Sequence, residues 1–398
     1  MNNVSSTADA TSGPTTSPVP RRGADGTLAD ALDRHTAVGA LWRVEGDRVR
    51  CVACGHRCLI ASGRRGICRV RFNRDGRLHV PFGYVAGGLA SDPVEKKPFF
   101  HVHPGSDALT FGMLGCDFHC SYCQNWVTSQ ALRDPASVAP VRFATPAQLA
   151  QTGRRLGARL VVSSYNEPLI TAEWAVAVFR EAKAGGLACG FVSNGNATPE
   201  VLDFLKPWII AYKIDLKSFD DQRYRTLGGT LANVLAGIRL VHERGLWLEV
   251  VTLLVPGFND SEAELRAIAR FLVSVSPDIP WHVTAFHQDY KLTEPPATRA
   301  AQLVRAAEIG AEEGLRFVYA GNAPGQVGDW ESTRCPGCGE KLIDRFGFLV
   351  RQYSLSPKGT CPQCGTAVPG VWPAAAEEVR TGESMADYYQ RLPRQVRW

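Results

Sequence analysis

Twelve cysteines are the side chains of this sequence best suited to chemistry, and eleven of them fall into three groups. In the middle group, Cys116, Cys120 and Cys123 follow the spacing C-x3-C-x2-C within "GCDFHCSYC". A structural metal site usually has four protein ligands. Three thiolates therefore either recruit a fourth ligand from elsewhere in the chain or leave one coordination position open.

The two explanations predict different metal centres. A recruited ligand would give a distorted Cys3His zinc site, for which three histidines are available: His101, His103 and His119. An open position is typical of a [4Fe–4S] cluster on three thiolates, which leaves one iron free for a substrate or a cofactor. The position of the triplet, directly after an apolar strand-like run, favours the open site.

The last group consists of two C-x2-C pairs: Cys335, Cys338, Cys361 and Cys364. Each pair can place two thiolates on one tetrahedral ion, and "EKLIDRFGFLV" between them suits a hairpin. This spacing predicts a structural zinc ribbon, with a rubredoxin-like single iron as the alternative. Such a closed site stabilises the fold or recruits a partner.

The first group also offers four thiolates: Cys51, Cys54, Cys58 and Cys68. Thiolates suit both zinc and iron–sulfur clusters, so this group predicts either a structural zinc ion or an auxiliary iron–sulfur cluster. Cys189 stands alone in the apolar "GLACGFV" and is interpreted as a small buried hydrophobe.

Seven apolar runs separated by helical patterns must position these groups. The runs cover residues 109–114, 159–166, 187–194, 208–217, 246–256, 281–287 and 315–322. Continuous apolar strands between helices are typical of a parallel sheet covered on both faces. We therefore predict an α/β fold whose core is a partial (β/α)6-type TIM barrel; a doubly wound open sheet is the alternative.

Polar side chains stand at the ends of several predicted strands, where parallel α/β folds bind ligands. They include Asn166, Glu167, Ser193, Asn194, Asp215, Lys217, His287 and Asn322. The cysteine triplet follows the first of the seven runs and belongs to the same edge. One site at this edge is therefore expected.

Changes in composition and in sequence pattern divide the chain into five segments. We expect a disordered leader at 1–27, an N-terminal Cys-rich module at 28–105, the barrel core at 106–328, the ribbon module at 329–374 and a tail at 375–398. The leader has no apolar core like that of a signal peptide, and no run of apolar residues is long enough to span a membrane. A cytoplasmic protein is predicted, and a reducing compartment favours metal-bound cysteines. With a net charge of +5 and no basic run, nothing indicates nucleic-acid binding.

The triplet, with Tyr122 directly before its last cysteine, resembles the signature of radical S-adenosylmethionine (SAM) enzymes. The resemblance implies that the three cysteines hold a [4Fe–4S] cluster, while the amino and carboxylate groups of SAM chelate the free iron. It also implies that Tyr122 lies against the adenine.

Further segments continue the resemblance. "YNEP" (165–168) stands where these enzymes carry G-G-E, so that Glu167 matches the acid that contacts the methionyl amino group. "SNG" (193–195), "KIDLK" (213–217) and "LVPGFND" (254–260) are similar to segments of pyruvate formate-lyase activating enzymes. The implied cofactor-binding residues are Tyr122, Asn166, Glu167, Ser193, Asn194, Asp215 and Lys217. Val192 replaces an Asp that helps those enzymes bind a monovalent cation, so one ligand of that site is missing.

From about residue 38 to 372, the chain is similar to radical SAM enzymes of the AmmeMemoRadiSam system. Segments that carry this resemblance include "SDPVEKKPFFHVHPGS" (91–106), "FHQDYKLTEPPAT" and the terminal ribbon. From the second of these, four residues are predicted to face the substrate: His287, Asp289, Tyr290 and Lys291.

The resemblance implies a function. Reduced flavodoxin or ferredoxin would supply an electron, SAM would be cleaved to a 5′-deoxyadenosyl radical, and hydrogen would be abstracted from a substrate. That substrate is either a protein partner, as in glycyl-radical activation, or a small molecule. The competing hypothesis, drawn from the cysteine groups alone, is a non-catalytic zinc-binding interaction protein.

Overall fold

The computed structural model describes residues 28–137 and 139–396. The predicted leader, 1–27, lies outside the described residues. The N-terminal part is built from one short helix and seven short strands: α1 Leu28–Asp33, β1 Thr36–Val38, β2 Trp42–Glu45, β3 Arg48–Cys51, β4 Leu59–Ile60, β5 Phe72–Arg74, β6 Arg77–Pro81 and β7 Tyr84–Ala86. They form the small sheets β1-β6-β5 and β2-β3-β4, while β7 pairs with a later strand.

The central part alternates strands and helices. It comprises β8 Leu89–Pro93, β9 Asp107–Phe111, α2 Trp126–Ser129, β10 Val141–Phe143, α3 Pro146–Arg155, β11 Leu160–Ser163, α4 Ala172–Ala184, β12 Ala188–Ser193, α5 Pro199–Leu205, β13 Ala211–Asp215, α6 Asp221–Thr226, α7 Leu231–Glu243, β14 Trp247–Leu254, α8 Glu262–Val275, β15 Trp281–Ala285, α9 Ala300–Glu312 and β16 Val318–Gly321. Each of the seven predicted apolar runs contains or overlaps one strand of this series.

The C-terminal part adds a small antiparallel sheet and a short helix. Its elements are β17 Thr333–Arg334, β18 Lys341–Phe346, β19 Leu349–Tyr353, α10 Met385–Gln390 and β20 Arg394–Gln395. Four 3-10 turns complete the described part of the chain, at Val94–Lys96, Pro168–Thr171, Gly328–Glu331 and Ala376–Glu378. Within the described ranges, none of the helices has the length and apolar composition needed to cross a membrane.

The main sheet has nine strands in the order β16-β15-β14-β13-β12-β11-β9-β8-β20. Its seven strands β9 and β11 to β16 pair in parallel, and neighbours follow chain order without reversal. A doubly wound sheet would reverse direction at its centre, so that alternative is wrong and the α/β barrel-type core is confirmed. The edge strands β8 and β20 are antiparallel additions.

Local sequence explains where several helices begin. Thr145, Thr198 and Ser261 each accept a hydrogen bond from a backbone N–H in the first turn of α3, α5 and α8. Proline at the first helical position of α3 and α5 removes an N–H that would have no partner there. Strands β9 and β11 are buried along their whole length, as predicted for strands covered on both faces.

A buried ion pair joins the N-terminal sheets to the barrel. Arg71 donates to both carboxylate oxygens of Glu173 on α4, at 2.9 and 2.7 Å. The same carboxylate accepts the backbone N–H groups of Ala40 and Leu41 at 3.2 and 3.3 Å. Both charged side chains are almost completely buried. Each charge is therefore stabilised mainly by the other charge and not by water.

Replacing Arg71 with methionine is expected to lower the free energy of unfolding by about 3–5 kcal/mol, because Glu173 would remain as a buried unpaired charge. Urea denaturation measures the effect. Arg225→Met is the matched control, since Arg225 forms an exposed pair with Asp221 on α6 and should change stability little. Equal stability of R71M and the wild type would contradict this assignment.

Residues 94–103 cross the amino ends of the barrel strands and connect the barrel to the C-terminal part. Glu249 on β14 accepts the backbone N–H groups of Phe100 and His101 at 3.0 and 2.9 Å. Arg345 on β18 donates to the carbonyl oxygen of Phe100 at 2.7 Å. The C-terminal sheet is thus anchored on the same segment that closes this end of the barrel.

The predicted tail, 375–398, contains α10 and β20 and contacts the main sheet. Arg391 is buried, lies 2.5 Å from Asp107 and donates to the carbonyl oxygen of Ser106 at 2.9 Å. Strand β20 pairs with β8 at the sheet edge. These contacts hold the described part of the segment against the barrel.

Candidate active site

The cysteine triplet lies in the loop that follows β9, at the carboxyl ends of the parallel strands. Cys116, Cys120 and Cys123 all line one cavity of about 470 Å³. The backbone N–H of Phe118 donates to Sγ of Cys116 at 3.3 Å, and Ser129 Oγ lies 3.2 Å from Sγ of Cys123. Such polar contacts stabilise thiolates and tune the potential of a bound cluster.

Burial makes bare thiolates costly at this site. It raises the pKa of Cys120 to about 12 and raises the pKa of Cys116 and Cys123 as well. A bound metal centre supplies the positive charge that keeps a buried thiolate deprotonated. Three soft sulfur donors around one cavity therefore fit an iron–sulfur cluster.

Glu167 is buried beside the triplet, and both of its carboxylate oxygens are held. Oε1 accepts from the Ser193 hydroxyl at 2.8 Å and from the backbone N–H of Leu169 at 3.0 Å. Oε2 accepts from the backbone N–H of Asn194 at 2.7 Å. Burial and, second, the charge of Asp117 raise the pKa of Glu167 to about 8. A ligand ammonium group would supply the missing positive charge.

Asp117, between two of the triplet cysteines, is a buried residue that the sequence patterns did not identify. Its carboxylate accepts from the side-chain amides of Asn194 and Asn196 at 2.7 and 2.8 Å. These bonds fix the loop after β12 and, through Asn194, the position of Glu167. The residue is a spacer in C-x3-C-x2-C, so the motif gave no indication of this role.

A second charged cluster lies at the end of β13. Lys213 Nζ is 2.5 Å from one oxygen of Asp215, and Lys217 Nζ is 3.4 Å from the other. Burial opposes the charge of Asp215, but the two lysines hold its pKa below the ordinary value. The backbone N–H of Lys217 donates to the Tyr224 hydroxyl at 2.8 Å. The cluster presents ammonium and carboxylate groups to the same cavity.

Apolar and amide side chains complete the lining. Tyr122 is buried and packs edge-on against Phe258, with ring centroids 5.7 Å apart. Asn166 Oδ1 accepts the backbone N–H of Met113 at 3.0 Å. Val192 also lines the cavity, so the position at which activating enzymes carry Asp contributes an apolar side chain here.

Tyr165 keeps the backbone conformation of a glycine. Its φ is +69°, in the left-handed region that favours glycine, at the position of the first glycine of G-G-E. Its hydroxyl donates to Asp92 at 2.5 Å and accepts from Lys97 Nζ at 3.2 Å. The replacement therefore keeps the turn and adds a half-buried polar side chain to the cavity. Strained conformations of this kind concentrate at functional sites.

The structure brings together ten of the predicted site residues around the cavity: Cys116, Cys120, Tyr122, Cys123, Asn166, Glu167, Ser193, Asn194, Asp215 and Lys217. It also places there residues that the predictions omitted, including Lys97, Lys213 and His282. Lys97 belongs to the quoted segment "SDPVEKKPFFHVHPGS", and Lys213 and His282 are polar residues within apolar runs. A polar residue within an apolar run was the sequence signal that could have identified Lys213 and His282.

The four residues predicted to face the substrate lie elsewhere. Asp289 accepts from the indole N–H of Trp126 at 3.1 Å, and the Tyr290 hydroxyl donates to Asp134 at 2.8 Å. The Lys291 ammonium lies 3.3 Å from Asp134, and His287 is exposed. This loop packs against the residues around the triplet and is absent from the described lining of the cavity.

The terminal cysteines form a compact group. Sγ atoms lie 3.5 Å apart between Cys335 and Cys364, and 3.7 Å apart between Cys338 and Cys361. A tetrahedral ion with metal–sulfur bonds of about 2.3 Å holds its ligands about 3.8 Å apart. The four thiols therefore fit one metal ion, in the ribbon that the spacing predicted.

The ribbon also reaches the cavity. Gly347 and Phe348, in the turn between β18 and β19, line the cavity together with Glu331. The Glu331 carboxylate accepts the backbone N–H groups of Gly325 and Gly347, which fixes the turn against the end of the barrel. The sequence predicted the metal site but not that the turn of the ribbon lines the cavity.

Cys361→Ser is expected to remove one equivalent of metal and to unfold the ribbon, because small thiolate sites fold largely on metal-binding energy. Metal analysis and limited proteolysis within residues 329–374 measure both effects. Cys189→Ala is the control, since this buried cysteine lies on β12, outside the three groups. Full metal content in C361S would show that this thiol is not a ligand.

The first cysteine group contacts the network behind the triplet. Gly55 donates its backbone N–H to the carbonyl oxygen of Asn196 at 2.8 Å, and Asn196 bonds to Asp117. A Cβ on Gly55 would lie 2.3 Å from Asn196 Oδ1, so this approach requires glycine.

Among the residues that the structure describes, only the ribbon brings three or more cysteine, histidine or acidic ligand atoms all within 4.8 Å of one another. No three of the sulfurs of Cys51, Cys54, Cys58 and Cys68 lie that close together in the described structure.

Comparison with known proteins identifies the family. The model of the radical SAM superfamily matches residues 111–272. An uncharacterized protein of Methanocaldococcus jannaschii, MJ0808, is 35% identical over 329 residues, which are 82% of this chain and 96% of that protein. The chain belongs to the radical SAM superfamily. Membership implies a [4Fe–4S] cluster and SAM as cofactors.

Two further comparisons of this radical SAM protein are with activating enzymes. The isethionate sulfite-lyase activating enzyme of Oleidesulfovibrio alaskensis is 31% identical over 133 residues, which cover 31% of this chain and 41% of that enzyme. The match thus spans less than half of that enzyme. A solved domain of the pyruvate-formate lyase-activating enzyme from Bacteroides vulgatus is 23% identical, covers 41% of this chain and 98% of that chain, and has a TM-score of 0.36.

Proposed function

We infer that this protein is a radical SAM enzyme whose [4Fe–4S] cluster is held by Cys116, Cys120 and Cys123. The bound cluster would supply reductive cleavage of SAM and thereby a radical that abstracts hydrogen from a substrate. One observation carries the proposal: the triplet and the buried carboxylate of Glu167 line the same cavity. Three thiols, with no fourth cysteine in the described lining of the cavity, suit a cluster that leaves one position to a ligand.

The chain's own residues would orient the cofactor. Glu167, fixed by Ser193 and Asn194, would accept the amino group of SAM. Lys217 and Asp215 offer an ammonium group and a carboxylate to its polar groups, and Tyr122 offers a ring face to the adenine. Asn166 anchors the turn before Glu167. Burial of these groups excludes water, which strengthens each polar contact.

The other partners follow from the same chemistry. A cluster of this type needs one electron from a low-potential donor, so reduced flavodoxin or ferredoxin is the proposed donor. Zinc is the proposed ion of the C-terminal ribbon, and either zinc or an auxiliary iron–sulfur cluster is proposed for the first cysteine group. Metal-bound cysteines suit a reducing compartment, and the cytoplasm is the proposed location.

Two substrate classes remain candidates. Similarity to the isethionate sulfite-lyase activating enzyme supports a protein partner that receives a glycyl radical. A cavity of about 470 Å³ that reaches polar side chains inside the barrel supports a small molecule. Both share the hydrogen abstraction, so the choice depends on what the cavity binds.

Anaerobic reconstitution tests the proposed function. We expect a brown protein that carries a [4Fe–4S] cluster and forms 5′-deoxyadenosine from SAM after reduction. A colourless protein that holds zinc alone and leaves SAM intact would favour the alternative, a non-catalytic zinc-binding interaction protein.

A further inference from the structure

Three basic side chains form one part of the cavity that cofactor binding does not use. Lys97 follows the 3-10 turn at Val94–Lys96, Lys213 lies on β13 and His282 lies on β15. All three line the cavity and are at least 95% buried. We call this set the basic floor. Burial, with a further contribution from the charge of Lys213, lowers the pKa of both Lys97 and His282, so Lys213 lies near both groups and the neutral form of the His282 ring is favoured.

The lysines of the cavity exceed the carboxylates that pair with them. Lys96 and Lys97 share Asp92, at 3.0 and 2.5 Å, while Lys213 and Lys217 share Asp215. The remaining acids of the lining are engaged elsewhere: Glu95 with Arg391 and the N–H of Gly105, Glu331 with backbone N–H groups, and Glu167 beside the cluster site. Each shared carboxylate thus leaves one lysine charge for an anion.

The carboxylate of Glu249 holds His282 in one orientation and acts only as a hydrogen-bond acceptor. Glu249 accepts from the backbone N–H groups of Phe100 and His101 and from the indole N–H of Trp247. It lies 2.7 Å from His282 Nε2, which must therefore carry the ring proton. Nδ1 is then a hydrogen-bond acceptor, and it has no partner among the described residues. Since the ring lines the cavity, a ligand can supply that donor.

We propose that the basic floor binds the substrate, and that the substrate is a small molecule with two features. One is a carboxylate or phosphate that pairs with Lys97 and Lys213. The other is a hydroxyl or ammonium group that donates to Nδ1 of His282. This inference rests on the proposed function, because it takes the cavity as the active site, and it names the substrate class. A glycine residue inside a polypeptide carries neither feature.

Glycolate is a probe that has both features, and methoxyacetate lacks the hydroxyl donor. We expect the anaerobic holoenzyme with SAM to bind glycolate in calorimetric titrations. The affinity for glycolate should be at least about tenfold lower in Lys97→Met and in His282→Gln than in the wild type. Glutamine can still donate to Glu249 but offers no acceptor at the position of Nδ1, so H282Q should leave methoxyacetate binding unchanged. Lys97→Arg keeps the positive charge and should bind glycolate more tightly than K97M does.

Exposed residues provide the controls: Lys206→Met at the end of α5 and His242→Gln on α7 should bind glycolate like the wild type. Thermal unfolding verifies that each variant is folded. Absence of glycolate binding to the wild type, or an affinity for glycolate in K97M and H282Q equal to that of the wild type, would overturn the proposal. Formation of 5′-deoxyadenosine is measured in the same samples. If the wild type cleaves SAM but does not bind glycolate, the substrate class is wrong; if it does not cleave SAM, the proposed function itself fails.

Discussion

Alanine at Cys116, Cys120 and Cys123 is expected to abolish cleavage of SAM while the ribbon retains its metal. The three thiols line the cavity and are the proposed donors to the cluster, and the ribbon has four other cysteines whose sulfurs fit one ion. Loss of the triplet therefore removes the reactive centre without removing a ligand of the structural site. Chromatography of 5′-deoxyadenosine and metal analysis of the same sample measure both results.

The control for this experiment is Cys189→Ala, which removes a buried cysteine outside the three groups and should cleave SAM like the wild type. A second comparison replaces Cys51 and Cys54 with alanine. If the triple variant still cleaves SAM and the Cys51/Cys54 variant does not, the reactive cluster lies in the first group and the central claim is wrong.

Glu167→Gln is expected to weaken SAM binding by about 10- to 150-fold, which corresponds to the loss of one charge-assisted hydrogen bond. Glutamine is nearly the same size, but it is neutral and turns one acceptor into a donor that faces the N–H groups of Asn194 or Leu169. Equilibrium binding of SAM to the anaerobic protein measures the change. Glu243→Gln, at the exposed end of α7, is the matched control.

The pH dependence of SAM binding gives a second readout for Glu167. Its pKa is raised to about 8 by burial and by Asp117, so the charged fraction falls as the pH decreases below that value. Because an ammonium group binds the carboxylate, SAM affinity of the wild type should increase from pH 6 to pH 7.5. The increase should be smaller in E167Q. Equal affinities and equal pH profiles in the two proteins would show that Glu167 does not contact the amino group.

Much of the fold could be predicted because its determinants are local. Apolar runs such as 246–256 lie on buried strands, and Thr145 and Thr198 cap helices as their sequence context predicts. The parallel order of the strands follows from the alternation with helices. Metal-site spacing is also local, which is why the ribbon and the triplet could be identified from the cysteines alone.

Contacts between distant segments could not be predicted in the same way. The pair of His282 and Glu249 depends on the register of β14 and β15 and on the crossing of residues 94–103 beneath the barrel. The loop at 287–291 follows a strand end, as functional loops do, yet it packs against Trp126 and Asp134. Pattern and spacing identify which residues are polar, whereas tertiary packing decides which of them share a cavity.

Electron paramagnetic resonance of the reduced, anaerobically reconstituted protein, with and without SAM, tests the central claim most directly. If the triplet holds a [4Fe–4S] cluster with one position open to SAM, the signal of the reduced cluster should change when SAM is added, and this response should be lost in the triple alanine variant. A reduced-cluster signal that SAM leaves unchanged, or a SAM response that survives in the triple variant, would contradict it.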